Sequence, residues 1–408
     1  MQTKSSNTMN ILVVLPRIPF PLTDGGAIAQ FSFLKHLSKT QGTLTIAALN
    51  TKKHYYSPDV LKPFGSVYTV DISTRINVVL LLTSLFKFTP YIVSRFYSKK
   101  FSSLLLDIIE KHSIDTIIFE TPFLGEYVLD IRELNYEIDM FIRTHNTEFL
   151  IHERLSKSSS ILKSLFYKRS AKQLKEYEIL LSKLVQGLFT VSTVDKEMFE
   201  HIGVSTPIEV LPIGVELDRF QLSTTLRIPN TYFFFGSLDW TPNTEGLYWF
   251  IESVFPLIQQ QIPDAVFHIG GKNPPNGFEE YCKNQGIMFH GIVEDASTFF
   301  QTYSVMVAPL LSGSGTRVKI LEALAVKTPM VTTTVGIEGI SFFNDSIHIC
   351  DTPIEFSNSV VDFLRNKRSQ TDLDKQRDFI SKKYNWTKVC EKAIAFIEAK
   401  KNQADRTL

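Results

Sequence analysis

Short apolar runs of strand-forming residues alternate with helical patterns from one end of this 408-residue chain to the other. Few folds accept such a pattern, and parallel sheets covered by helices are the natural one. Strands are expected near Ile11–Leu15, Leu44–Leu49, Thr116–Phe119, Met140–Arg143, Gly187–Val191 and Ile208–Leu211. A second series starts at Tyr232–Phe235 and continues through Val266–Ile269, Met288–His290, Val305–Ala308 and Met330–Thr333. Between them a polar stretch lacks periodicity and reads as a linker. The chain thus divides into a Rossmann-like domain over 1–214, a linker over 215–230, a second Rossmann-like domain over 231–383, and a closing helix over 384–408 that can return to the first domain. A chain this long exceeds one ordinary core. The expected class is α/β, with two halves facing one another across a cleft and ligands at the carboxyl ends of the strands.

Charge and cysteine usage exclude several alternatives. A formal net charge of +1 gives no global case for nucleic acid as a partner. Three scattered cysteines (Cys282, Cys350, Cys390), with no CxxC, suggest neither a disulfide framework nor a zinc site. The polar start MQTKSSNTMN is no secretory signal, and the longest apolar run, Val78 to Phe86, is too short to cross a bilayer. The expectation is a cytoplasmic protein that touches a membrane, if at all, peripherally at its inner face.

The densest chemistry lies in APLLSGSGTRVKILEALAVKTPMVTTTVGIEGI, from Ala308 to Ile340. A strand gives way to a loop with Gly313, Ser314 and Gly315, then to a helix opening near Thr316. Arg317 and Lys319 stand in its first turn, where cations oppose a macrodipole whose amino end is already positive. A local rule broken this way calls for a compensating partner. Free N–H groups, glycines and two cations together describe a phosphate cradle. At about 100° per residue, Val318, Leu321, Leu324 and Ala325 should face the sheet, with Lys319 and Glu322 on the opposite side. Two readings of that pair stay open. It is an ordinary i,i+3 surface ion pair, or Lys319 meets a phosphate while Glu322 accepts hydrogen bonds from vicinal hydroxyls, as a ribose offers.

Other strand ends carry further candidates. Gly25 and Gly26 precede a helix beginning around Ala27 and let a ligand approach the backbone closely. His145, in RTHNTEF, stands just past a strand. It terminates that strand, or it donates to a sugar hydroxyl, accepts from one, or stabilises a departing phosphate. Gly236 and Ser237, in GSLDWTPN, can offer backbone N–H groups to a phosphate, with Trp240 read as packing. Gly270, Gly271 and Lys272 end the next strand; Gly291, Ile292 and Val293 follow another, and these loops can hold a nucleobase. Asp372-Leu373-Asp374 reads as the start of a solvated helix rather than a metal clamp, so no metal ligands are assigned. Over 156–183, Lys163, Lys168, Arg169, Lys172 and Lys175 interleave with Leu162, Leu165, Phe166 and Leu174. That pattern is a solvated face, or a surface for an anionic bilayer or acceptor. Phe86 to Phe101 has the same ambiguity.

Taken together, these segments resemble the group 1, family 4 glycosyltransferases of the GT-B fold, the type that includes sugar transferases of polysaccharide assembly. Besides Ala308 to Ile340, the resemblance rests on GSLDWTPN, HIGGKNPP, HGIVED and LPIGVELDRF, nearly the whole C-terminal half, and in the N-terminal half on DGG, RTHNTE and VSTVDKEMF. It implies a retaining, metal-independent hexosyltransferase, with no cofactor beyond a nucleotide diphosphate sugar as co-substrate and a glycan or lipid-linked acceptor. Carried over by position, Glu322 would bind ribose hydroxyls, Arg317 and Lys319 the diphosphate, Gly25 and Gly26 the phosphates from the other domain, and His145 the transferred sugar. Two departures stand out. The family's paired glutamates are eight positions apart, and eight before Glu322 stands Ser314. Ser237 and Asn243 occupy the region where members often supply Arg and Lys, a charge that Arg317 and Lys319 can take over. Ser314 keeps open a nucleotide-sugar-binding protein without turnover. A Rossmann oxidoreductase fits less well, since the first loop lacks GxGxxG and Asn50, not an acidic residue, ends the second strand.

Overall fold

A parallel strand covered on both faces must be largely apolar, and β1 (Asn10–Leu15) is so from Ile11 onward, with Ile11 to Leu15 each at most 1% exposed. The computed structural model describes residues 9–22, 25–40, 43–75, 81, 84, 88–134, 136–158, 161–312, 317–342, 344–366 and 368–404. They form two compact units, one of residues 1–212 with 389–408, the other of residues 213–388.

Among the described residues of the first unit, β2 (Thr43–Thr51), β3 (Ser66–Ile72), β4 (Thr116–Phe119), β5 (Asp139–Thr144), β6 (Gly187–Thr190) and β7 (Ile208–Val210) join β1 in one sheet of order β3-β2-β1-β4-β5-β6-β7. The second unit holds β8 (Ile228–Phe235), β9 (Val266–Gly270), β10 (Met288–Phe289), β11 (Tyr303–Ala308), β12 (Met330–Thr332) and β13 (Ile347–Ile349), in order β10-β9-β8-β11-β12-β13. Every neighbouring pair is parallel. Strand order reverses between β1 and β4 and again between β8 and β11. Such switch points open a crevice at the carboxyl ends of the strands, where ligands of doubly wound sheets bind.

The strands expected from sequence are present; β3 and β13 are additional. Both lie at sheet edges. β3 is only intermittently buried, and β13 has three residues, so neither carries a strong apolar signal. The stretch read as a linker contributes to the C-terminal core. Val215 and Phe220 cluster with Phe300 and Ile320, β8 already starts at Ile228, and Arg227 donates to the carbonyls of Tyr303 and Val326. The run Val78 to Phe86 lies outside the described residues except for Leu81 and Ser84. No helix among the described residues is long and apolar enough to cross a membrane.

One long helix, Trp386–Ala404, begins in the second unit, while its residues from Val389 onward belong to the first. There Phe396 packs edge-on against Phe141 and Phe189, beside Gly187, where a Cβ would lie 2.5 Å from its ring. Lys392 donates to the Val210 carbonyl, and Lys401 pairs with Asp115.

Gly246 seats the helix Thr241–Trp249 directly on the chain leaving β11. A Cβ at Gly246 would stand 1.9 Å from the Pro309 carbonyl oxygen, a backbone atom with little room to yield. Gly246→Ala is therefore expected to destabilise the C-terminal unit by about 3 kcal/mol, read as a lower urea midpoint. An unchanged midpoint would show that this close approach is not a feature of the folded protein.

Candidate active site

The helix after β11 spans Val318–Ala325 and buries Ile320, Leu321, Ala323, Leu324 and Ala325. Val318, expected on the sheet side, is only half-buried; the helix is so enclosed that Ile320 and Ala323 take part in the core instead. Arg317 occupies the N-cap position and is 5% exposed, its guanidinium 5.3 Å from the centroid of the Trp240 ring. Trp240 thus does more than pack, because it supports one of the expected phosphate-binding cations.

Lys319 keeps some surface, but its ammonium end is drawn inward. Nζ lies 4.4 Å from the centroid of the Phe234 ring and donates to Asn243 Oδ1 at 2.7 Å. Buried Asn243 in turn donates from Nδ2 to the Ser237 carbonyl at 2.8 Å. Glycine is needed at 236 because a Cβ there would sit 2.7 Å from Asn243 Nδ2 and 3.1 Å from Lys319 Nζ. Desolvation, helped by nearby Arg317, pushes the Lys319 ammonium down to about 7. Burial raises the Glu322 carboxyl to about 7, with Arg219 opposing. Among the described residues Lys319 makes no ion pair, with Glu322 or with any other carboxylate. The surface-pair reading of these two residues therefore falls.

The neighbouring loops differ from expectation in one respect. The Gly236 N–H donates to the Gly270 carbonyl at 3.0 Å and the Gly271 N–H to the Gly291 carbonyl at 2.8 Å, because the parallel ladder runs on past the strand ends. Gly236 is therefore not a phosphate donor through its N–H. These glycines permit close packing: a Cβ on Gly271 would lie 2.3 Å from the Gly236 carbonyl oxygen. Ser237 donates to Asp239, which also accepts from Asn273 and so ties the loops after β8 and β9 together. Lys272 is half-buried beside Gly271, while Val293 packs against Gly270. Gly313, Ser314, Gly315 and Thr316 lie outside the described residues.

In the N-terminal unit, Gly25 and Gly26 are the first residues of the helix Gly25–Thr40 rather than a turn before it. A Cβ on Gly25 would meet nothing within 4 Å, so this helix start is open. His145 directly follows β5, as expected. Its partner is Glu120, which directly follows β4 and was not anticipated. Glu120 Oε2 accepts from His145 Nε2 and from Arg143 Nη1, each at 2.9 Å. The sequence held a faint signal, an acidic residue ending the apolar run IIFE, but its separation from His145 hid the pairing.

Three other expectations resolve quickly. Asp372 pairs with Lys375 and Asp374 with Lys327 on the helix Gln370–Lys383, an ordinary solvated start. Asn50 exchanges hydrogen bonds with the Tyr56 backbone and so shapes its own loop. On the helices Glu148–Ser158 and Ile161–Ser182, Leu174 is core rather than surface and the Leu162 side chain is outside the described set, while Ile161 is 82% and Leu165 61% exposed.

Residues 229–366, the span holding β8 to β13 and the Arg317–Lys319–Glu322 helix, match the family described as glycosyl transferases group 1. The chain carries a group 1 glycosyltransferase domain. The chain is similar over its length to an uncharacterized 44.6 kDa protein in the cps region of Klebsiella pneumoniae, at 23% identity over 410 residues, covering 93% of this chain and 97% of that protein. Among solved structures, sucrose-phosphate synthase from Thermosynechococcus elongatus superposes with a TM-score of 0.68 at 13% identity, covering 96% of this chain and 98% of that one. Anabaena HepE, solved in complex with UDP, gives 0.67 at 11% identity, covering 96% and 100%. These likenesses carry the fold, GT-B.

The surroundings of Lys319 make a prediction independent of any substrate. With lysines labelled at Cε, one resonance should titrate near pH 7 and vanish in Lys319→Met. If every lysine titrates in the ordinary range near 10.4, the ammonium is not desolvated.

Proposed function

We propose that this glycosyltransferase moves a sugar from a nucleotide diphosphate sugar to a glycan or lipid-linked acceptor, with retention at the anomeric carbon and without a metal ion. The observation that carries this reading is Lys319, a desolvated ammonium at a helix start whose partner is an amide rather than a carboxylate. Burying a cation without a counter-ion is costly, and a diphosphate would supply one. Arg317 adds a second cation, the first turn adds N–H groups with no partner further up the helix, and Glu322 accepts from the ribose hydroxyls. The complexes of HepE with UDP and with UDP-glucose support a donor of this class, and the cps-region relative supports polysaccharide assembly.

The C1–O bond to the diphosphate breaks as the acceptor oxygen bonds to C1 on the same face, and the acceptor proton passes to a phosphate oxygen of the leaving group. The protein's part is to stabilise charge on that leaving group. The acceptor side suits a bilayer surface. Exposed Leu155, Ile161 and Leu165 stand among Arg154, Lys163, Lys168, Arg169 and Lys172, a mixture fitted to anionic lipid and hence to a lipid-linked acceptor at the inner face of a membrane.

Purified protein should bind a nucleoside diphosphate and transfer the matching sugar with its anomeric configuration kept, at a rate unchanged by a chelator. Lys319→Met should lower kcat on the order of 10²–10³-fold. Inversion seen by proton NMR would sink the retaining mechanism, and donor binding without turnover across a broad acceptor panel would favour the catalytically silent reading that Ser314 keeps open. Separately, the protein should co-sediment with vesicles containing phosphatidylglycerol and not with neutral ones, and Ile161→Asp with Leu165→Asp should abolish this. Equal sedimentation of the double variant would leave those helices as a plain solvated face.

A further inference from the structure

His268 and His290 stand 22 positions apart, and no local pattern joins them. The sheet does. His268 lies within β9 opposite Met288 of β10, and the His290 N–H, just past the end of β10, donates to the Ile269 carbonyl at 2.9 Å. Among the described residues β10 is the edge of its sheet, and His290 is exposed while His268 is half-buried. The two rings meet at their nitrogens. His268 Nδ1 is 3.0 Å from His290 Nε2, and the Tyr303 hydroxyl is 3.3 Å from the same Nε2.

Aromatic neighbours hold the arrangement in place. The Tyr303 ring stacks on His268 with centroids 4.0 Å apart, and Phe299, on the helix Ala296–Thr302, meets His290 edge-on at 5.4 Å. Tyr303 and Phe299 themselves belong to the core. Two imidazole nitrogens and a phenol oxygen thus converge on an open edge. An N–H···N bond between the rings uses one proton, and a neutral imidazole can carry that proton on its other nitrogen instead. Neither outer nitrogen, His268 Nε2 or His290 Nδ1, is buried without a partner among the described residues. Both inner lone pairs can therefore be freed without stranding a proton.

The separation selects a class of ligand. Histidine nitrogen binds zinc at about 2.0–2.1 Å, and with bonds of that length nitrogens 3.0 Å apart subtend roughly 91–97° at the cation. A tetrahedral ion asks for nitrogens roughly 3.3–3.4 Å apart. Positions near a right angle belong to the tetragonal N,O sites of copper(II) and nickel(II). The cation lies off the line joining the nitrogens, and a turn of the exposed His290 ring about its soft χ2 aims both lone pairs at it. No third histidine and no cysteine, aspartate or glutamate joins the pair among the described residues, so water completes the shell.

We propose that His268 Nδ1 and His290 Nε2, with the Tyr303 hydroxyl beside them, form a site for a divalent cation of the nickel and copper class that clips the edge strand β10 to β9. The site lies wholly within the second unit and does not rest on the transfer reaction proposed above.

The test uses the full chain without a polyhistidine tag, stripped by a chelator and dialysed. Ni²⁺ added in a calorimeter should bind at one equivalent and raise the melting temperature. His290→Ala, at an exposed position, should keep the circular dichroism of the fold and weaken Ni²⁺ by more than about tenfold, a loss typical even of an outer-shell partner. Tyr303→Phe should weaken it less. With one equivalent of Cu²⁺, electron paramagnetic resonance should show splitting from two nitrogens in wild type and lose it in His290→Ala. Equal Ni²⁺ affinity in wild type and His290→Ala overturns the proposal and leaves the rings as an ordinary hydrogen-bonded pair. So does a Cu²⁺ spectrum that the substitution leaves unchanged.

Discussion

A lysine ammonium drawn out of water needs negative charge nearby, and at Lys319 the described residues supply only an amide oxygen. The same unit shows what a purely structural cation looks like. Arg227 is also desolvated, yet it is held by the carbonyls of Phe300, Tyr303 and Val326 and by the Thr328 hydroxyl, and it ties the start of β8 to the start of β11 and to the turn before β12. Carbonyls satisfy a guanidinium in many directions without needing a formal counter-charge. Lys319 donates one such bond, to an amide oxygen, and lies over a ring face, which leaves it short of what burial takes away.

The scaffold explains why that shortage arises where it does. Both sheets reverse their strand order at the centre, and the residues with chemistry follow the central strands: Gly25 after β1, Glu120 after β4, His145 after β5, Gly236 after β8, Arg317 after β11. Close packing of glycines at 236, 246 and 271 brings the loops of the second unit within a few ångströms of the helix start. The glycines are there for proximity of backbone to backbone, and their N–H groups are largely spent within the sheet.

Central strands were legible in the sequence because burial on both faces writes an unbroken apolar run. The edges β3 and β13 were not, since one is half-wet and the other too short to register. That His145 follows a strand, that Arg317 and Lys319 stand at a helix start, and that Glu322 lies one turn on from Lys319 could be read from position. Glu120 could not, because its meaning depends on two strand ends lying side by side, which no local pattern records. Asn243 was visible only as a departure from a familiar charge; that it hands Lys319 to the Ser237 carbonyl needed coordinates. Trp240 was read as packing, and only the guanidinium over its ring gives it a second part.

The helix Trp386–Ala404 has a consequence for synthesis. Phe396 fills the space beside Gly187, Lys392 caps the end of β7 at Val210, and Lys401 meets Asp115 next to β4. A ribosome delivers those side chains only after the whole second unit has been made. The amino-terminal unit therefore gains this part of its packing only once the chain of the unit that follows it has been made.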